Sequence, residues 1–156
     1  MVLHKNRAFA GCFWPPLRHV IEVPYKPIKG KRMNVFIADD SPVLIDRLSD
    51  LVREVPGVTM VGSAGEAPEA GRAILELRPD AVILDLQMKN GNGLEVLEAV
   101  KSIHPEMIII VLTNYAYPQY RRKCLAAGAD FFLDKSSEFQ KIPAILRQYL
   151  GVPAGD

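Results

Sequence analysis

The sequence holds only two cysteines, Cys12 and Cys124, in 156 residues. They lie far apart and fit no metal-ligand spacing, so neither a disulfide framework nor a zinc site is expected. Two free thiols fit a reducing compartment. No apolar run approaches the roughly 18 residues that a membrane-spanning helix needs. The apolar stretch before Cys12 is too short for a signal peptide, and Pro15-Pro16 follow at once. The three histidines, His4, His19 and His104, form no cluster in the sequence. No glycine-rich loop follows the first candidate strand, which argues against a nucleotide-binding fold. Net charge of either sign is also scarce, at +1. It is unevenly placed, however. Residues 1–32 carry seven Lys/Arg against Glu22 alone, and the rest of the chain is acidic, which argues against direct contact with nucleic acid.

What is present begins at Met33. Residues 1–32 hold four prolines and show no stable period, so this segment is expected to be irregular and poorly ordered. Met33 is the expected natural start of the product. From there the chain alternates. Val35-Phe36-Ile37-Ala38 is a short apolar run of the kind buried strands show. Ser41-Pro42 reads as N-cap and first helical position. Leu44, Leu48, Leu51, Val52 and Val55 follow at helical spacing until Pro56-Gly57. Further strands are expected at Val58 to Val61, Ala81 to Leu84, Met107 to Leu112 and Phe131 to Leu133. Helices are expected from Pro68 to Leu77 (Ile74 and Leu77 inward), across Leu94, Leu97, Val100 and Ile103, from Pro118 to Gly128, and from Ile142 to Leu150. Ser137 and Gln140 have capping-box spacing, but Pro143 disfavours one continuous helix, so a turn is expected at 137–141. Five strands alternating with five helices imply an α/β fold, an open parallel five-stranded sheet covered on both faces. In such sheets, sites form beyond the carboxyl ends of the strands.

The strand ends carry an ordered set. Strand 1 ends in Asp39-Asp40, strand 3 in Asp85, strand 4 in Thr113, and strand 5 in Asp134-Lys135. Each residue alone has an ordinary explanation: a turn, a cap or a solvated cation. Together they describe a site. Three converging carboxylates repel one another, and Mg²⁺, which takes oxygen ligands and phosphate, relieves that repulsion. A lysine and a threonine hydroxyl beside them complete an electrostatic clamp for phosphoryl transfer to a carboxylate.

With these residues in view, the stretch from Met33 to Leu150 resembles the response-regulator receiver family, single-domain and chemotaxis-regulator-like. The resemblance implies a flavodoxin-like sheet in the order 2-1-3-4-5. It implies that Asp85, in the run from Asp80 to Asp85, is the phosphoacceptor. Asp40 and Asp85 would bind Mg²⁺ directly, Asp39 through water, and Gln87 through its backbone carbonyl. Lys135, in the run from Gly128 to Lys135, is similar to the family's lysine, Thr113 to its switch hydroxyl, and Phe132 to its rotating aromatic. Gln87 and Tyr115 stand where hydrolysis of the acyl phosphate is tuned. A histidine kinase or a histidine phosphotransfer protein would be the donor. The face of helix 4, strand 5 and helix 5 would signal to a downstream protein partner in the cytoplasm.

The chain also departs from the pattern. Lys89 and Ser136 stand where most members have proline, Asn114 where a smaller residue is common, and Phe132 where tyrosine is commoner. Tyr120, Arg121, Arg122 and Lys123 are expected to form a solvated helix face. Only residues 151–156 follow the last helix, so no attached output domain is expected; an excised receiver and a phosphate shuttle are the other readings of that ending. A pseudo-receiver that binds partners without phosphorylation is the alternative function. A haloacid-dehalogenase-type phosphatase is disfavoured, because its nucleophile follows strand 1 as Asp-x-Asp.

Overall fold

A computed structural model describes residues 32–151. The expectations for the irregular segment, Cys12, His4 and His19 fall on residues 1–31 and lie outside the described residues, as do those for the tail at 152–156.

The first strand, β1, is Met33–Ala38, followed by α1, Pro42–Arg53. Ser41 caps α1 as its spacing predicts, with Oγ accepting from Leu44 N–H at 3.3 Å and Pro42 in the first helical turn. Next come β2, Val58–Ala64, α2, Ala67–Leu77, and β3, Ala81–Leu84. A short antiparallel ladder then pairs Gln87–Met88 with Gly91–Asn92, and leads into α3, Gly93–Ile103. The remaining elements are β4, Ile108–Thr113, α4, Pro118–Ala126, β5, Phe131–Asp134, a 3₁₀ turn at Phe139–Lys141, and α5, Ile142–Leu150. The five long strands form one parallel sheet in the order β2-β1-β3-β4-β5, as expected.

Successive strand residues face opposite sides, so continuous apolar strands need cover on both faces. Val35, Ile37, Ile83, Ile110 and Leu112 pack with Leu48 and Val52 of α1 and Ile145 and Leu146 of α5. Phe36, Ala38, Val82, Leu84, Ile109 and Val111 pack with Ile74 of α2, Leu97 and Val100 of α3, and Cys124 of α4. Leu77 breaks its expected inward role, and Ile103 also faces outward. Each is the last residue of its helix and is exposed, at 48% and 58%. The turn expected at 137–141 is present as the 3₁₀ turn, and the last helix starts at Ile142 as expected. Within that segment Glu138 folds back, and its Oε2 accepts from Asp134 N–H at 2.8 Å.

One buried ion pair fixes the sheet end opposite the site. Lys101 Nζ donates to Asp130 Oδ2 at 3.0 Å, and the same oxygen accepts from Ile109 N–H at 2.8 Å. Burial lifts the Asp130 carboxyl above its ordinary range, and the Lys101 charge only partly opposes this. A carboxyl that binds protons more readily when folded loses stability as pH rises through its folded pKa. Lys101→Met, which strips the cation and leaves Asp130 buried, should therefore cost about 2 kcal/mol at pH 7. The loss should shrink towards pH 4, where Asp130 takes up a proton. Urea melts at the two pH values check this, and an equal loss at both would contradict it.

Candidate functional site

Strand register brings the acids together. Ala38 of β1 pairs with Leu84 of β3, so the next residues, Asp39 and Asp85, emerge side by side. Across the sheet, Thr113 of β4 pairs with Asp134 of β5, so Lys135 follows at the same edge. Asp85 N–H donates to Ala38 O at 2.9 Å, and Lys135 N–H donates to Thr113 O at 2.9 Å, which ties each side chain's own backbone to the neighbouring strand.

Lys135 Nζ bridges two carboxylates, at 2.7 Å from Asp39 Oδ2 and 3.0 Å from Asp85 Oδ2. The other oxygens are held by backbone. Asp39 Oδ1 accepts from Ser41 N–H at 2.9 Å, and Asp85 Oδ1 accepts from Gln87 N–H at 3.2 Å. Asp39 and Asp85 are buried, whereas Asp40 is exposed at the same rim. One ligand oxygen from each of Asp39, Asp40 and Asp85 lies within 4.8 Å of the others. These groups line a cleft of about 400 Å³ with Ser41, Gln87, Asn114, Tyr115 and Arg47.

Three carboxylates and one ammonium leave two net negative charges when all are ionised. Burial lifts the Asp85 carboxyl above its ordinary range, Lys135 pulls it down, and the Asp39 charge pushes it up again. Burial alone would lower the Lys135 ammonium, but hydrogen bonds and charge from Asp39 and Asp85 hold it above its ordinary value. A hard divalent cation fits this donor set in both charge and ligand type. Among the described residues the cleft offers oxygen donors, and no histidine or cysteine lines it.

Thr113 is fully buried, and its Oγ1 accepts from Tyr115 N–H at 3.0 Å. Thr113 does not line the cleft itself, whereas Tyr115 does. Phe132 is buried, at 4% exposure. The Arg121 guanidinium covers its ring at 5.8 Å, and Nη1 donates to Phe132 O at 3.3 Å. Arg121 is thus half-buried against β5, which corrects the expectation of a wholly solvated α4 face; Arg122 and Lys123 are exposed as expected. A basic residue three positions after Pro118 was the only signal for it, and helix propensity explains such a residue equally well. No cis peptide bond occurs among the described residues, so the Lys135–Ser136 bond is trans.

The family model for the response regulator receiver domain matches residues 35–147. The chain belongs to the response regulator receiver family. A receiver domain of this kind is a signalling switch of two-component systems, and phosphorylation and Mg²⁺ binding at an acidic pocket are typical of the family. The chain is 33% identical over 116 residues to the uncharacterized transcriptional regulatory protein YvfU of Bacillus subtilis, covering 74% of this chain and 58% of that one. It is 40% identical over 79 residues to a protein-glutamate methylesterase/protein-glutamine glutaminase of Rhizobium etli, covering 51% of this chain and 23% of that one. Among solved structures, the response regulator domain of Thermotoga maritima CheB matches with a TM-score of 0.69 at 26% identity, covering 78% of this chain and 98% of that chain. The chain thus spans less than two thirds of these curated relatives. What matches in the methylesterase is its receiver part alone.

Proposed function

We propose that Asp85 accepts a phosphoryl group from the phosphohistidine of a histidine kinase or a histidine phosphotransfer protein. An O–P bond forms on the Asp85 carboxylate as the N–P bond breaks; the imidazole keeps the electron pair of that bond and leaves neutral, with a proton already on its ring or taken from solvent. The observation that supports this most is the Lys135 ammonium shared between Asp39 and Asp85 in an open acidic cleft. Lys135 already stands where it can pair with a phosphoryl oxygen on Asp85, and Thr113 can donate its hydroxyl to another. Mg²⁺, held by Asp40 and Asp85 directly, by Asp39 through water and by the Gln87 carbonyl, would neutralise charge on the phosphoryl group.

The output on this reading is a two-state change in the face of α4, β5 and α5, read by a protein partner. The phosphoryl group must stabilise one state more than the other. Thr113 and Phe132 link the site to that face, through Tyr115 and Arg121 respectively. The chain would work in the cytoplasm, where ATP charges the donor histidines, as a switch that handles only its own phosphoryl group and makes no direct contact with nucleic acid. No helix among the described residues is long and apolar enough to cross a membrane.

Amide NMR spectra with Mg²⁺ and then beryllofluoride test this reading. Mg²⁺ should shift the amides of Asp40, Asp85 and Gln87, and beryllofluoride should add shifts at Thr113, Phe132 and Lys135. Asp40→Ala should abolish the Mg²⁺ response while the fold persists. Spectra that ignore both additions would overturn the reading.

Tyr115 and Gln87 flank the acceptor, and the half-exposed Tyr115 ring forms one wall of the cleft. Tyr115→Ala should admit water and make dephosphorylation several-fold faster. Decay of the phosphoprotein, followed by mass, checks this; an unchanged rate would remove Tyr115 as a shield.

A further inference from the structure

Arg121 has two simultaneous contacts to one residue of the neighbouring strand. Its guanidinium covers the Phe132 ring at 5.8 Å, and its Nη1 holds the Phe132 carbonyl at 3.3 Å. The ring lies in the core cluster with Val111 and Cys124, so the arginine covers it from the side of α4. A guanidinium over an aromatic face is attracted to it, more strongly where both are partly desolvated. The backbone hydrogen bond removes the freedom that would let Arg121 drift off the ring.

The contact continues towards the site. Burial would raise the Glu138 carboxyl, but Lys141, the Asp134 N–H and the charge of Arg121 bring it below its ordinary range, which puts Arg121 within electrostatic reach of Glu138. Glu138 Oε2 accepts from Asp134 N–H at 2.8 Å, and its Oε1 accepts from Lys141 Nζ at 2.8 Å. Asp134 immediately precedes Lys135, the residue between Asp39 and Asp85.

We infer that Arg121 is a clamp that holds Phe132 inward before any phosphoryl group is present, and so sets how readily Asp85 is phosphorylated. The second half rests on the phosphoacceptor reading above; the first does not. In this proposal the inward ring belongs to the state that phosphorylation stabilises, and the clamp keeps that state populated. Loss of the clamp lowers the competent fraction, and apparent reactivity falls in proportion. Arg121 is a positioning residue here, since it does not touch the acidic cleft.

The test uses the full chain carrying ring-¹³C phenylalanine, with the Phe132 signals assigned through Phe132→Leu. Phosphorylation by phosphoramidate with Mg²⁺ is followed in parallel by intact mass. Wild-type protein should show one set of Phe132 ring signals, before phosphorylation as well as after it. Arg121→Ala should split or broaden that set, return it to one on phosphorylation, and slow adduct formation about 3- to 10-fold. Arg121→Lys, which keeps a cation but loses the planar fork, should fall between the two. Wild-type ring signals and wild-type rates in both variants would overturn the clamp. A split ring signal in Arg121→Ala, with no adduct even on wild type, would leave the clamp standing and remove the phosphoacceptor reading.

Discussion

Lys135→Ala should lower stability by about 4 kcal/mol at pH 7 in the absence of divalent cations, which is the usual scale for removing one member of a buried ion pair. The reason is the number of charges it leaves behind. Lys135 is the cation that contacts both Asp39 and Asp85, and those carboxylates are only 2% and 6% exposed. Without it, two adjacent buried anions face each other beside Asp40. Two conditions should restore much of the loss. Mg²⁺ should do so, because it binds the folded acidic cluster and not the unfolded chain. Acid should also do so. The Asp85 pKa is raised in the folded state, so from its ordinary value of 3.8 up to its folded value the folded protein binds more protons and gains stability as pH falls. Urea melts at pH 7 with and without Mg²⁺, and at pH 5, check all three statements. A variant as stable as wild type without Mg²⁺ would show that the acids do not depend on Lys135.

Gly93→Ala should do comparable damage by a steric route. A Cβ at Gly93 would lie 2.1 Å from Asp85 O and 2.9 Å from Leu86 Cα, both backbone atoms that cannot swing aside. Gly93 N–H is held to Leu86 O at 2.8 Å, so the start of α3 sits directly on the acceptor loop. Alanine must push the helix away from Asp85. We expect a loss of at least about 3 kcal/mol and phosphorylation slowed about 100-fold, the scale of a misplacement near 1 Å in a reacting group. Gly71→Ala is the matched control. Gly71 lies in α2 with nothing within 4 Å of its added Cβ, so alanine there should stabilise by about 0.5–1 kcal/mol and leave phosphorylation alone. Similar melts and rates for the two variants would contradict the close-approach argument.

The sheet was legible in the sequence because its strands are short, apolar and separated by helical periods with clear stops. Ser41-Pro42 and Pro56-Gly57 marked the ends of α1 by local chemistry, and the structure keeps the same cap. The acids, Thr113 and Lys135 were legible because each directly ends or follows a strand, and parallel register then brings strand ends together. What was not legible depends on contacts across the fold. Leu77 and Ile103 have the right period but end their helices largely exposed. Glu138 satisfies a backbone N–H four residues back, a contact that the turn expected at 137–141 did not specify. Gly93 looks like any loop glycine until its distance to Asp85 O is known. Arg121 looks like a solvated helix cation until β5 places Phe132 beneath it.

The most direct test of the phosphoacceptor site is the intact mass of the protein after incubation with Mg²⁺ and phosphoramidate. We expect one phosphoryl adduct on wild type, none without Mg²⁺, and none on Asp85→Ala with Mg²⁺ present. A folded wild-type protein with no adduct, or an adduct that survives Asp85→Ala, would contradict the account and recast the acidic cleft as a fixed binding surface.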